Sequence, residues 1–342
     1  MEQDLKEWSL TLFAICFLGS LANLLMMIIL SCHRSKITKS PPHFQKNSAN
    51  KAHYVLLINL FIADFLLCFF NGIAFLVNAQ SLTLEENSLI CRFQGVSGIS
   101  FACLSVFLLC AISYDRYVSI VRAPTANATV SPLDSTFSTR RRRKTSLRST
   151  YVIVVFAWTY SIVLGFVLLS SQLHIVRSPS EIFCTTEWQS RSISNILYTT
   201  VCLVTLILTI GASTFWYYKI YRKIKISQEN VAEYVKNSKH SADIAYRMSI
   251  LVILFLIGWG TYCTMIFYNL IMGQATNRSY DTAATLSSFL NSALNPIVYL
   301  LLNRRKYCCN NTNNIQRMTS KTIEVLVGSP KNVANNISAF SV

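Results

Sequence analysis

Apolar residues run through this chain in long, nearly unbroken blocks, and the charges fall almost entirely between them. Blocks at 8–32, 54–80, 93–114, 149–172, 192–218, 248–274 and 282–303 each reach the length that a bilayer-spanning helix needs, about 20 residues. One of them holds a charged residue, Asp64 in the second; the others hold none. The blocks are too long and too evenly apolar for soluble amphipathic helices. They lack the alternation of a membrane β-barrel. The pattern predicts an all-α membrane protein, a bundle of seven transmembrane helices with a short cytoplasmic helix after the seventh. It divides the chain into an extracellular N-terminus at 1–7, a helical domain at 8–309 and a disordered cytoplasmic tail at 310–342.

Composition sharpens this reading. The 342 residues are 52% hydrophobic and only 13% charged, yet the net charge is +16. A soluble domain carries about 25% charged residues. A basic nucleic-acid surface would be built on a polar chain, so nucleic acid is excluded as a partner. Eleven cysteines in this length are too sparse for a disulfide-stapled secreted domain. The positive charge instead sets orientation, because cytoplasmic loops collect Lys and Arg. Twenty-five basic residues fall in the loops after the first, third and fifth spans and in the tail. Only Lys6, Arg92, Arg177, Arg191 and Arg278 fall on the other side. The N-terminus is therefore expected outside and the C-terminus inside. The net-negative flank Glu2, Asp4, Lys6, Glu7 argues against a signal peptide.

Asp64 is the first chemical candidate, since a carboxylate in mid-span is costly and functional by default. Ser105 lies mid-third helix, Asn23 mid-first, and Asn291 and Asn295 share one face of the seventh at i, i+4 spacing. Carboxylate, hydroxyl and amide oxygens suit a small hard cation such as sodium, or a proton. They equally suit a polar cluster that holds helices together. Asp115-Arg116-Tyr117 closes the third span. Pro296, in Asn295-Pro296-Ile297-Val298-Tyr299, loosens the seventh.

These residues stand in a familiar order, and over about residues 8–309 the chain resembles a rhodopsin-like (class A) G-protein-coupled receptor. The resemblance rests on Asn23, Leu60-Phe61-Ile62-Ala63-Asp64, Cys91, Asp115-Arg116-Tyr117, Trp158, Cys184, Tyr217, the pair Phe255 and Trp259, and Asn295-Pro296 with Tyr299. It implies a disulfide between Cys91 and Cys184. It implies an allosteric sodium site at Asp64, Ser105, Asn291 and Asn295, and no required cofactor. Phe255 and Trp259 would be the rotamer switch. Arg116 would be held by Asp115 at rest and released toward Tyr217 and Tyr299 on activation, a two-state element biased by an outer ligand. Heterotrimeric G proteins and arrestin are the implied partners, and the protein is expected to be no enzyme.

The sequence also departs from the family. Thr261 stands where the sixth helix usually has proline, and the fifth helix has none. Gly258 and Gly260 are expected to supply the missing flexibility. The nearest acid to the usual sixth-helix lock, at Ser241, is Asp243. Gly98 replaces the aspartate of amine receptors. Phe289 replaces the retinal lysine of opsins, so no covalent retinal is expected. The ligand pocket is expected from Gly98, Ile99, Ala102, Tyr262, Thr285 and Phe289, and suits a small neutral or lipophilic ligand. Alternatives are an opsin-related receptor without covalent retinal, or a peptide receptor reading its ligand through His174, Glu181 and Glu187. An ion or proton translocator would need a chain of carboxylates, and Asp64 stands alone among the spans.

Peripheral features fit a plasma-membrane protein. Cys308 and Cys309, beside Arg304, Arg305 and Lys306, suit palmitoylation and attraction to anionic lipid. Asn277-Arg278-Ser279 is an outer glycosylation sequon.

Overall fold

A computed structural model describes residues 2–38, 48–81, 88–121, 147–170, 172–229 and 235–301. Seven α-helices lie among the described residues: α1 (Glu2–Thr38), α2 (Ser48–Ser81), α3 (Leu89–Ile120), α4 (Leu147–Phe166), α5 (Ile193–Glu229), α6 (Val235–Met272) and α7 (278–301). The first six are long and apolar enough to cross a membrane. Between α4 and α5 lies a two-stranded antiparallel ribbon, β1 (Ile175–Arg177) and β2 (Cys184–Thr186), in register Ile175 to Thr186. The apolar-block pattern did not contain this ribbon, because three-residue strands leave no periodic signal.

The helices outrun the blocks that announced them. Hydropathy marks only the part of a helix that lipid must solvate. Polar extensions carry α1 back to Glu2, α5 on to Glu229, and α6 back to Val235. Residues 2–7 are thus a helical turn rather than free chain, with Glu2, Asp4 and Glu7 at the positive end of the helix dipole.

The chain divides into two compact units, Met1–Pro296 and Ile297–Val342. Within the first, α3 is the central helix. About 67% of its span is buried, against 33% for α1 and α4. It packs on α2, α4, α5, α6 and both strands. The lipid-type faces are plain on α1 (Phe17, Leu18, Leu25, Ile28) and α4 (Val152, Val155, Phe156, Val163), whose large apolar side chains are exposed. Small residues let the helices close up. A Cβ at Gly19 would stand 2.7 Å from Ala293, and one at Gly165 would collide with Ser100 of α3. The described part of the second unit is the last stretch of α7, residues 297–301, which carries Tyr299.

Candidate functional site

The six residues expected to line a ligand pocket surround one cavity of about 40 Å³. Gly98, Ile99 and Ala102 come from α3, Tyr262 from α6, and Thr285 and Phe289 from α7. Leu67, Trp259 and Ser288 join them, and so does Phe183 from the loop before β2. No lining residue is charged. Two buried polar atoms of the wall, the Trp259 indole nitrogen and the Thr285 hydroxyl, make no hydrogen bond.

Phe183 is the residue that sequence reasoning missed. Its ring fills the space beside Gly98, where a Cβ would come within 2.9 Å, and lies 5.9 Å from the ring of Phe289 and 6.3 Å from that of Phe75. The loop is pinned to put it there. The Cys91–Cys184 disulfide joins α3 to β2, as the resemblance implied. Cys184 N donates to Gln94 Oε1 (3.0 Å) and Ser180 N to Asp281 Oδ2 (3.0 Å), while Asn78 Nδ2 donates to the Ile182 carbonyl (3.3 Å). Glu181 adopts φ 62°, the one positive φ outside glycine among the described residues. Such a strained turn persists only where its surroundings over-determine it. The adjacency of Phe183 to Cys184 was the available clue.

Asp64 is fully buried and bonded by two other helices. Ser105 Oγ donates to Oδ1 and Asn295 Nδ2 to Oδ2, both at 2.8 Å. Asn23 Nδ2 donates to the Ser292 carbonyl (3.1 Å), tying α1 to the same place on α7. The Ser292 hydroxyl stands beside the same carboxylate, and Asn23 Oδ1 completes no hydrogen bond among the described residues. Asn291 departs from the expected foursome. It packs against Gly258 of α6, where a Cβ would meet its own at 2.7 Å, and no hydrogen bond joins it to Asp64 among the described residues. One carboxylate, two hydroxyls and unbonded amide oxygen form a hard-oxygen set that fits a small cation such as sodium.

At the other end of α3, Arg116 Nη2 contacts Asp115 Oδ2 at 2.5 Å, with Nε at 3.2 Å. Both side chains are buried. His53 of α2 stands 3.7 Å from the same carboxylate oxygen. Tyr217 of α5 bonds Ser113 and lies near the pair, and Tyr117 packs on Trp216 with ring centres 4.7 Å apart. The pair is closed on itself, with Tyr217 at hand.

The α6 departures take a definite form. Gly258 serves close packing against Asn291 rather than flexibility, whereas a Cβ at Gly260 would meet nothing within 4 Å. Thr261, in the place of proline, donates to the Gly258 carbonyl (3.2 Å), and Ser287 of α7 donates to the same oxygen (3.0 Å). Hydroxyls that compete for helix carbonyls bend helices as proline does. Phe255 and Trp259 stack obliquely at 6.4 Å, and Pro296 lies one residue past Asn295 in α7.

Comparison with known proteins follows the same lines. The 7 transmembrane receptor (rhodopsin family) pattern matches residues 42–299, three-quarters of the chain. The chain belongs to this family of G-protein-coupled receptors. It is 24% identical over 257 residues to the vertebrate ancient opsin of Salmo salar, covering 73% of this chain and 72% of that one. It is 24% identical to the neuromedin-K receptor of Cavia porcellus (87% of this chain, 62% of that) and 26% identical to the tachykinin-like peptides receptor 86C of Drosophila melanogaster (87% and 56%). The chain thus spans only about six-tenths of those two peptide receptors. Squid rhodopsin shares the fold, with TM-score 0.71 at 14% identity, covering 100% of this chain and 93% of that one. The protein is accordingly a multi-pass membrane receptor, in a family of receptors rather than enzymes.

Several expectations lie outside the described residues: the short helix after the seventh span, Cys308 and Cys309, the tail, and the basic run at 140–144. The side chain of Asp243 does too.

Proposed function

We propose that this receptor sits in the plasma membrane with the ribbon end outside and the Arg116 end in the cytoplasm. There it binds a small, uncharged, lipophilic ligand in the cavity beneath Phe183. The observation that carries this is the wall itself: ten residues without a charge, and two unbonded polar atoms, Trp259 Nε1 and Thr285 Oγ1. A ligand with an apolar body and one hydrogen-bonding group would complete it, since buried polar groups seek partners. Similarity to opsins fits such a ligand, and Phe289 in place of lysine makes it non-covalent. The peptide reading is less favoured, because the loop carrying Phe183 closes over the cavity that a peptide side chain would enter.

The mechanism follows from the geometry. Trp259 and Tyr262 line the cavity and pack on each other, with ring centres 6.0 Å apart. A ligand against them biases α6, where the Gly258 carbonyl is already held by side-chain hydroxyls. Movement of α6 frees Arg116 from Asp115 to face a heterotrimeric G protein, with Tyr217 as its next partner. Arginine suits this exchange because it keeps its charge while its planar fork changes partners. Sodium held by Asp64, Ser105 and Asn295 would supply positive charge that favours the resting arrangement. Arrestin would share the cytoplasmic end. Cys308 and Cys309 are palmitoylated and hold the chain to anionic lipid. Asn277 is glycosylated: it is exposed, and its Oδ1 accepts from Tyr280 N (2.8 Å), which leaves the amide nitrogen outward.

The deciding experiment is a G-protein dissociation assay in cells with a panel of neutral lipids and sterols, run in light and dark. Activation by a member of the panel, lost in Thr285→Val and Gly98→Leu, is the expected result. Activation only by peptides would overturn the ligand class. Light-dependent activation without added retinoid would overturn the non-covalent reading.

A further inference from the structure

A second cavity, about 170 Å³, lies at the ribbon end between the strands and the neighbouring ends of α6 and α7. Its character is opposite to that of the first. Arg177, Thr185, Thr186, Trp188, Asn269 and Asp281 line it. Thr185, Thr186 and Trp188 are each at least 97% buried. The Thr185 hydroxyl and the Trp188 indole stand against the Tyr262 hydroxyl, whereas Thr186 Oγ1 and Arg177 Nε complete no hydrogen bond among the described residues. Buried polar atoms without partners are rare and call for an explanation. Here two of them, both able to donate, belong to residues that line one cavity.

The charges narrow the occupant. Arg177 is fixed by its Nη2 donating to Asn78 Oδ1 (3.3 Å), and its guanidinium lines the cavity. Asp281, 1% exposed, uses Oδ2 for Ser180 N. The guanidinium and the carboxylate line the same cavity, yet no ion pair joins them among the described residues. A cation and an anion held apart in one cavity match a molecule that carries both charges. A carboxylate is the acceptor that Arg177 and the Thr186 hydroxyl select, and charge-assisted bonds to arginine are among the strongest available. An ammonium group is what an unpaired buried aspartate selects.

We propose that this cavity is a second ligand site that binds a free α-amino acid, with the carboxylate on Arg177 and the Thr186 hydroxyl and the ammonium toward Asp281. It is separate from the uncharged cavity and does not depend on what fills that one. Tyr262 is the wall between them: it lines the first, and its hydroxyl stands beside Thr185 and Trp188 of the second. An amino acid bound here would therefore be sensed by α6.

The test is thermal unfolding of the purified full-length receptor in lipid nanodiscs with each standard L-amino acid at millimolar concentration. A ligand that binds only the folded state raises the midpoint in proportion to its occupancy. At least one amino acid should raise the midpoint. The matching decarboxylated amine and N-acetyl amino acid, each lacking one of the two charges, should not. Arg177→Gln and Asp281→Asn should each weaken the effect about tenfold or more, the scale of a lost charge-assisted bond. Asn at 281 still offers an oxygen to Ser180 N. Thr186→Val, which removes one donor and no charge, gives a smaller loss and serves if a charge variant does not fold. No midpoint shift with any amino acid would overturn the proposal and leave water as the occupant. So would equal shifts with the amine or the N-acetyl form, or a shift that survives both charge variants.

Discussion

Two buried aspartates in this receptor are handled in opposite ways. Asp64 shares its carboxylate between α3 and α7 through neutral donors, Ser105 and Asn295, and meets no basic side chain among the described residues. Asp115 takes its main partner from the next residue, Arg116, and neutralises its charge within one turn of a single helix. The Asp64 centre therefore joins three helices and leaves its carboxylate without a counter-charge among the described residues. The Asp115 centre is electrically closed and can open only if something else accepts Arg116. The contrast separates a device that holds the bundle from one that switches at its edge.

Removing a partner from the closed pair should have the largest effect. Arg116→Ala takes the arginine away from a buried carboxylate, a loss of about 3–5 kcal/mol. Nucleotide exchange on the G protein should vanish, while Arg116→Lys recovers part of the stability and little exchange. Thermal unfolding and exchange on the same preparation check both. If exchange survives in Arg116→Ala, the switch lies elsewhere.

Ser105→Ala removes one of two donors from a charged acceptor and should cost about 1.5–3 kcal/mol, read as a lowered unfolding midpoint. Asp64→Asn keeps the shape and discards the charge. Ligand affinity in this variant should no longer respond to exchanging sodium for a bulky organic cation. A response equal to the wild type would remove the cation from the comparison.

The two glycines of α6 give a finer test. Gly258→Ala drives a methyl into Asn291 and should destabilise by about 1–3 kcal/mol. Gly260→Ala meets open space and should stabilise by about 0.5–1 kcal/mol. If the two behave alike, Gly258 is not a packing contact beside the Asp64 centre. Smallest of all, Tyr217→Phe removes only the bond to Ser113, about 0.5–1.5 kcal/mol. It should lower exchange more than stability if Tyr217 receives Arg116.

Much of this was legible in the sequence, for reasons specific to each residue. The seven blocks needed no structure, because a helix in lipid must be long and apolar. Asp64 stood out because a charge in such a block has no cheap explanation. Gly98, Ile99, Ala102, Tyr262, Thr285 and Phe289 were drawn together by the resemblance, which fixes how the helices face each other. Phe183 was not legible. Its place depends on a ribbon three residues wide and on bonds to Gln94, Asn78 and Asp281, all distant in sequence. Asn291 fits the motif yet turns to Gly258, a choice made by the close approach of α6. The close approach at Gly258 was hidden for the same reason: a glycine in a helix shows no packing role until a neighbour is seen against it.

The sequence by itself determined the environment and the topology: seven crossings, their expected orientation, and where charge would be an exception. Those are one-dimensional facts, since hydropathy and charge bias act on each segment separately. Only the tertiary structure decided what each exception does. Asp64 is satisfied by two other helices, Asp115 by its neighbour, and Arg177 and Asp281 are left facing each other's cavity without pairing. Partnership inside a bundle depends on distances of a few ångströms between segments up to 269 residues apart, and no local pattern encodes those distances.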